Sequence, residues 1–150
     1  MKKLLMVCAL LVAAVSATAE SEEKALASCS GNSCEFQVDL VRGRSVSYYI
    51  VSQAAGSPGL QIIFNGNVIV DTKVHSTDLS NKSTGDFIAP GTGRYTIRVT
   101  NVSEVREDTA TITNSFGDTV SQTYQFAGED SFDGDFNDIY GAITWFRHKG

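Results

Sequence analysis

From Glu35 onward, apolar and polar positions alternate with a period of two in short runs, and turn residues separate the runs. Phe36, Val38 and Leu40 alternate with polar neighbours, and Ser45 to Val51 is a β-branched and aromatic run. In Leu60 to Val70 two such runs flank Asn65-Gly66, the strongest short hairpin signal because both residues tolerate positive φ. Arg94 to Thr100 sets Tyr95, Ile97 and Val99 on one face. Thr109 to Thr113 and Val120 to Phe126 read as a further pair around Phe116-Gly117-Asp118, and Ile139 to Phe146 as the last strand, with Trp145 in the core. Tyr48 and Tyr49 are adjacent, so in a strand they face opposite ways and at most one is expected to be buried. Gln53 to Gly59, Ser76 to Asp86 and Pro90 to Gly93 are polar or Gly-rich and read as linkers. Only Glu22 to Ala27 hints at a helical period. Many short strands with turns between them predict an all-β fold, an antiparallel sandwich or barrel, in one domain over residues 35–150.

The N-terminus follows a different grammar. Lys2 and Lys3, the apolar run Leu4 to Val15 and the small-x-small site Ala17-Thr18-Ala19 form a secretory signal pattern over residues 1–19. The apolar run is too short to span a bilayer, so membrane insertion is not expected. Cys8 falls inside the run and is not expected to take part in the fold. The expected location is secreted or periplasmic. Removing the signal takes away two lysines and no acid, so the net charge moves from −5 to −7. That balance disfavours nucleic acid and anionic lipid as partners. Cys29 and Cys34 remain, and an even pair in an exported chain reads as a disulfide. It closes a small loop in a leader over residues 20–34 and is expected to staple an end without holding the core.

The acidic stretch changes the picture most. Glu129, Asp130, Asp133, Asp135 and Asp138 fall close together, directly before the last strand. Two such charges 6 Å apart cost roughly 3 kcal/mol at an effective dielectric near 20. A bound cation would turn this repulsion into binding energy. Asp133, Asp135 and Asn137 alternate, as oxygen ligands do on a tight loop around a hard cation, and Glu129, Asp130 and Asp138 add further oxygens. Calcium accepts six to eight oxygens in irregular geometry, magnesium demands a stricter octahedron, and zinc prefers His or Cys. Calcium is therefore the expected cofactor. An EF-hand is excluded, because counting from Asp133 puts Asp138 and Thr144 where that motif needs Gly and Glu.

At these residues the chain resembles the bacterial calcium-dependent lectins of the fucose-binding lectin II type. Glu129-Asp130, a two-residue spacer, Asp133-Gly134-Asp135-Phe136-Asn137-Asp138 and the following strand with Trp145 carry the resemblance. It implies a Greek-key β-sandwich holding a pair of adjacent calcium ions, with sugar hydroxyls completing their coordination. It makes Glu129, Asp133, Asp135, Asn137 and Asp138 the metal ligands, and makes Asp130 an acceptor of hydrogen bonds from the sugar. Ligated Glu129, Asp133, Asp135 and Asp138 would also face the sugar, since ionised acceptors make the stronger hydrogen bonds. The implied partner is a carbohydrate, fucose-like or mannose-like, bound by a homodimer in which the terminal Gly150 carboxylate reaches a neighbouring calcium. Two departures bear on this. Phe146-Arg147-His148-Lys149 makes the tail about two residues longer, and Val51 to Gly56 is longer than the family's specificity loop and lacks its Asn.

Other chemistries fare worse. His75 and His148 are far apart, no Gly-x-Ser-x-Gly occurs, and no Cys is spare as a nucleophile. Adjacent carboxylates on one metal loop stay ionised, whereas a glycosidase needs one protonated acid. Asn81-Lys-Ser and Asn101-Val-Ser match the glycosylation pattern, which short sequences meet by chance. The expectation is a non-enzymatic lectin; its alternative is a calcium-stabilised structural or adhesive β domain without a sugar site.

Overall fold

A computed structural model describes residues 27–54, 56–75, 82–131 and 133–147. The signal over residues 1–19, most of the leader, Asn81, His148, Lys149 and Gly150 lie outside these. Among the described residues no helix is long and apolar enough to cross a membrane.

Two five-stranded antiparallel sheets stack face to face. One carries β1 (Ser28–Ser30), β2 (Ser33–Leu40), β7 (Gly93–Thr100), β4 (Gly59–Phe64) and β5 (Asn67–Lys73), in that spatial order. The other carries β6 (Lys82–Ile88), β3 (Ser45–Ser52), β10 (Ile139–Phe146), β9 (Thr119–Glu129) and β8 (Glu104–Thr113). The chain passes from sheet to sheet after β2, β3, β5, β6 and β7, so neighbours in space are mostly distant in sequence. This is the expected β-sandwich.

The core lies between the sheets and follows the period-two pattern. Phe36, Val38, Leu40, Leu60, Ile62, Tyr95, Ile97 and Val99 meet Val46, Ile50, Tyr124, Phe126, Ile139, Ile143 and Trp145. Phe36 and Phe126 touch across the layers, with ring centroids 5.6 Å apart. Tyr124 also ties the sheets by hydrogen bonds, since its hydroxyl donates to the Asp39 carbonyl at 3.1 Å and accepts from the Asp39 N–H at 3.3 Å. The hairpin at Asn65-Gly66 forms as expected, with φ of 50° and 77° at the two turn residues.

The structure departs from the sequence reading in several places. Lys82 to Asp86, expected in a linker, belongs to β6, which pairs with β3. Its inward positions are Ser83, Gly85 and Phe87, so it carries almost no apolar alternation. A Cβ on Gly85 would press on the Tyr48 ring, so the tyrosine fills the space that a side chain on β6 would otherwise take. Strand pairing begins at Ser28, not at Glu35, with Cys29 opposite Cys34. The Cys29–Cys34 disulfide is formed. Cys34 is wholly buried in the main core, so the bridge is anchored there and does more than tie an end. β8 starts at Glu104, earlier than the expected Thr109. Tyr48 packs against the core from β3 and Tyr49 points to the outer face, yet both are half-buried.

Candidate metal and ligand site

β9 ends at Glu129 and β10 begins at Ile139, so the acidic stretch connects two neighbouring antiparallel strands. Both its ends are pinned by main chain. The Glu129 carbonyl accepts from the N–H of Ser103 at 2.7 Å and from its Oγ at 3.0 Å. The Asp138 carbonyl accepts from Ser52 Oγ at 2.6 Å and from the N–H groups of Gln53 and Ala54 at 3.1 and 3.3 Å. Neighbouring connections, after β7 and after β3, therefore hold the loop.

Between these anchors the loop curls through left-handed residues. Gly134 has φ +74° and Phe136 φ +54°. That conformation is uncommon for a bulky residue and persists only where surrounding contacts over-determine it. Here the Phe136 N–H donates to Glu129 Oε2 at 3.0 Å, and the Arg106 guanidinium sits 4.1 Å from the centre of the Phe136 ring.

Glu129 is the hub. Its side chain is almost fully buried, at 2 % exposure, while Asp130, Asp133 and Asp135 are exposed. Its Oε1 accepts from the N–H and Oγ of Ser131, both at 3.0 Å. The bond from Phe136 N–H has the largest influence on its carboxyl, and with the bonds from Ser131 and Asp138 it outweighs burial and holds the pKa down at about 2. Asp138 behaves in the opposite way. Burial chiefly, then the neighbouring Glu129 and Asp130, push its carboxyl up to about 6, against the pull of the Asp130 N–H at 2.7 Å. For Asp133 the Asp135 N–H lowers the pKa, but desolvation and the charges of Asp135 and Glu129 together outweigh it and raise the carboxyl above its ordinary value.

One carboxylate oxygen each from Glu129, Asp130 and Asp138 lie within 4.8 Å of one another. The same holds for Glu129, Asp133 and Asp135. Glu129 belongs to both triads. At such distances each pair of charges costs about 3 kcal/mol at an effective dielectric near 20. An all-oxygen, irregular donor set of this kind fits a hard divalent cation such as calcium. Asn137 is attached to the second triad through Asp135: its N–H donates to Asp135 Oδ1 at 3.3 Å, and its side-chain amide donates to Asp135 Oδ2. Asp130, read from the sequence as a sugar contact, stands among the candidate ligand oxygens.

Beside Asp130 lies a recess of about 230 Å³ lined by Asn32, Gly56, Asn101, Val102 and Ser103. Asn101 has φ +58°, and its side chain donates to the Ser57 carbonyl at 2.7 Å. The sequence singled out Asn101 to Ser103 only as a glycosylation pattern and Val51 to Gly56 only as a lengthened loop; nothing in it tied them, or Asn32, to the acidic loop, because small polar residues far apart in the chain carry no shared pattern. Arg147 is remote from the site: it pairs with Asp118 at 3.0 Å, in the turn between β8 and β9 at the other end of the sheet. His75 is not with the acids; its Nδ1 lies 2.6 Å from Ser57 Oγ.

No protein-family model and no curated protein sequence matches this chain. Solved structures do match. They include a high-affinity mannose-binding lectin of Ralstonia solanacearum, with TM-score 0.58 and 16% identity. A Chromobacterium violaceum lectin solved in complex with α-methyl-fucoside has TM-score 0.58 and 14% identity. The C-terminal domain of a Burkholderia cenocepacia lectin has TM-score 0.57 and 17% identity. Each match covers 75% of this chain and 96% of the other. The fold of this chain is therefore the β-sandwich of these bacterial lectins.

Proposed function

We propose that this protein is an exported, non-enzymatic, calcium-dependent carbohydrate-binding protein. The observation that carries the reading is the pair of carboxylate triads sharing Glu129, set at the exposed end of a lectin-type sandwich. Two calcium ions would be held by Glu129, Asp133, Asp135, Asn137 and Asp138, with Asp130 at the edge of the set. Calcium supplies coordination positions that vicinal sugar hydroxyls can take in place of water. The chain supplies the rest. Asp130, Asp133 and Asp135 face solvent and offer carboxyl oxygens as acceptors to hydroxyl protons. The recess at Asn32, Asn101 and Ser103 offers amide and hydroxyl groups to the other side of the ring.

The structural neighbours include a mannose-binding lectin and a lectin in complex with a fucoside, so a fucose-like or mannose-like pyranose is the ligand class to test first. Homodimerisation belongs to the same reading. The test is calorimetric titration with calcium, followed by methyl-α-mannoside and α-methyl-fucoside with and without chelator. Calcium binding with chelator-sensitive sugar binding supports the reading. Calcium binding without any sugar binding would leave the metal as a structural pin for the last strand.

A further inference from the structure

The outer face of the second sheet carries a second feature beside the acidic loop. Along β8, β9 and β10, residues Arg106, Ala127 and Tyr140 stand in one row across the strands, because Ala127 is opposite both of the others. In the next row Asp108 is opposite Gln125. The small Ala127 leaves a cleft of about 270 Å³ between the Arg106 and Tyr140 side chains, floored by Ala127 and Gln125. Tyr140 is 43% exposed, and its hydroxyl donates to Gln125 Oε1 at 3.0 Å. This bond ties the ring to the Gln125 side chain and occupies its Oε1, which leaves the amide N–H₂ as the donor.

From this geometry we infer that the cleft is a sugar subsite, separate from the metal ligands, that takes a second pyranose of a longer glycan. This inference rests on the proposed function for its first subsite. The chemistry of the lining supports a sugar ring. One face of a pyranose is a patch of C–H groups that suits a fixed aromatic face, and its rim is hydroxyls that suit planar, directional partners. Tyr140 supplies the aromatic ring, Gln125 an amide donor, and Asp108, whose Oδ1 already accepts from the Thr109 N–H at 2.8 Å, a carboxylate at the edge. Position supports the link to the loop. Tyr140 follows Asp138 by two residues, and Arg106 lines the cleft while its guanidinium lies over Phe136 of the loop. A glycan whose first residue sits on the loop would meet the cleft next.

The test compares wild type, Tyr140→Ala and Tyr140→Phe in binding to methyl-α-mannoside, α-methyl-fucoside, mannobioses and a fucosylated trisaccharide, all in calcium. Wild type is expected to gain roughly tenfold on an oligosaccharide over the monosaccharide. Tyr140→Ala should lose that gain and keep monosaccharide affinity, and Tyr140→Phe, which keeps the ring but loses the bond to Gln125, should keep only part of it. Circular dichroism and melting of the variants check that this exposed substitution leaves the fold intact. If wild type binds monosaccharides but shows no oligosaccharide gain, or if Tyr140→Ala retains it, the subsite is overturned and the loop reading stands. If Tyr140→Ala alters the molecular mass in solution and not the glycan range, the face is a contact between copies and the subsite is likewise overturned. If wild type binds none of these sugars, both readings fall together.

Discussion

Glu129 is the residue on which the loop turns. It is nearly buried, it accepts from Ser131 and Phe136, and it is the only carboxylate common to both triads. Removing its charge should therefore weaken both cation positions. Glu129→Gln is expected to lower calcium affinity on the order of a hundredfold or more, whereas Asp130→Asn, which touches one triad at its exposed edge, should cost about tenfold or less. Calorimetry on the two variants decides it; equal losses would show that the carboxylates do not divide this way. A pH prediction follows from the same carboxyls in calcium-free protein. Glu129 is held low, at about 2, so it contributes stability that is present above its ordinary pKa and lost as pH falls towards 2. Asp138 is raised, to about 6, so the folded chain binds more protons than the unfolded one between the ordinary carboxylate value and 6. Its contribution is present below that window and lost as pH rises through it. Melting temperature in chelator should thus peak between about pH 4 and 5 and fall towards pH 7, and saturating calcium should remove the fall. A flat profile in chelator would mean that the carboxyls do not crowd in solution as they do here.

At the scale of elements, β10 joins the core to the site. Ile139, Ile143 and Trp145 point inward, and Gly141 between them lies against Phe126. A Cβ there would also come within 2.9 Å of Ile50 Cγ2. Gly141→Ala should therefore overpack the core and cost about 1–3 kcal/mol, read as a lower urea midpoint at unchanged slope. An unchanged midpoint would show that Phe126 swings aside without penalty. This strand was legible in the sequence because its inward positions are large and apolar. The same is true of β2 and β7, and the β4–β5 hairpin was legible from its turn. The strand β6 was not, because an edge strand lined by Ser83 and Gly85 shows no period. The charged N-terminal part of β8 was hidden for a similar reason, since only Val105 is buried in Glu104–Thr113. The acidic loop could be found from composition alone. What composition could not supply is which acid is shared, because that depends on the backbone bend at Gly134 and Phe136 and on the anchoring by Ser52 and Ser103.

For the molecule as a whole, calcium and the tail make linked predictions. A ligand that binds only the folded state adds about 2.7 kcal/mol at a hundredfold excess over its dissociation constant, which for a domain of this size is a rise of roughly 10 °C in melting temperature. Chelation should reverse it. The tail bears on whether that calcium affinity belongs to one chain or two. β10 runs away from the acidic loop, and the nine residue steps from Asp138 to Arg147 span about 30 Å of extended strand. Arg147 is in any case engaged with Asp118, and its N–H donates to the Val120 carbonyl at 2.8 Å. With Arg147 held there, the proposed homodimer is the arrangement in which the tail would contribute to a calcium site, at the loop of a second copy. Deleting Arg147 to Gly150 tests this in one preparation by light scattering and calcium titration. In the proposed homodimer the truncated chain should lose mass and calcium affinity together, and its remaining affinity should no longer depend on protein concentration. Loss of the dimer with full calcium affinity would confine the tail to assembly, and retention of both would make each chain's site complete on its own.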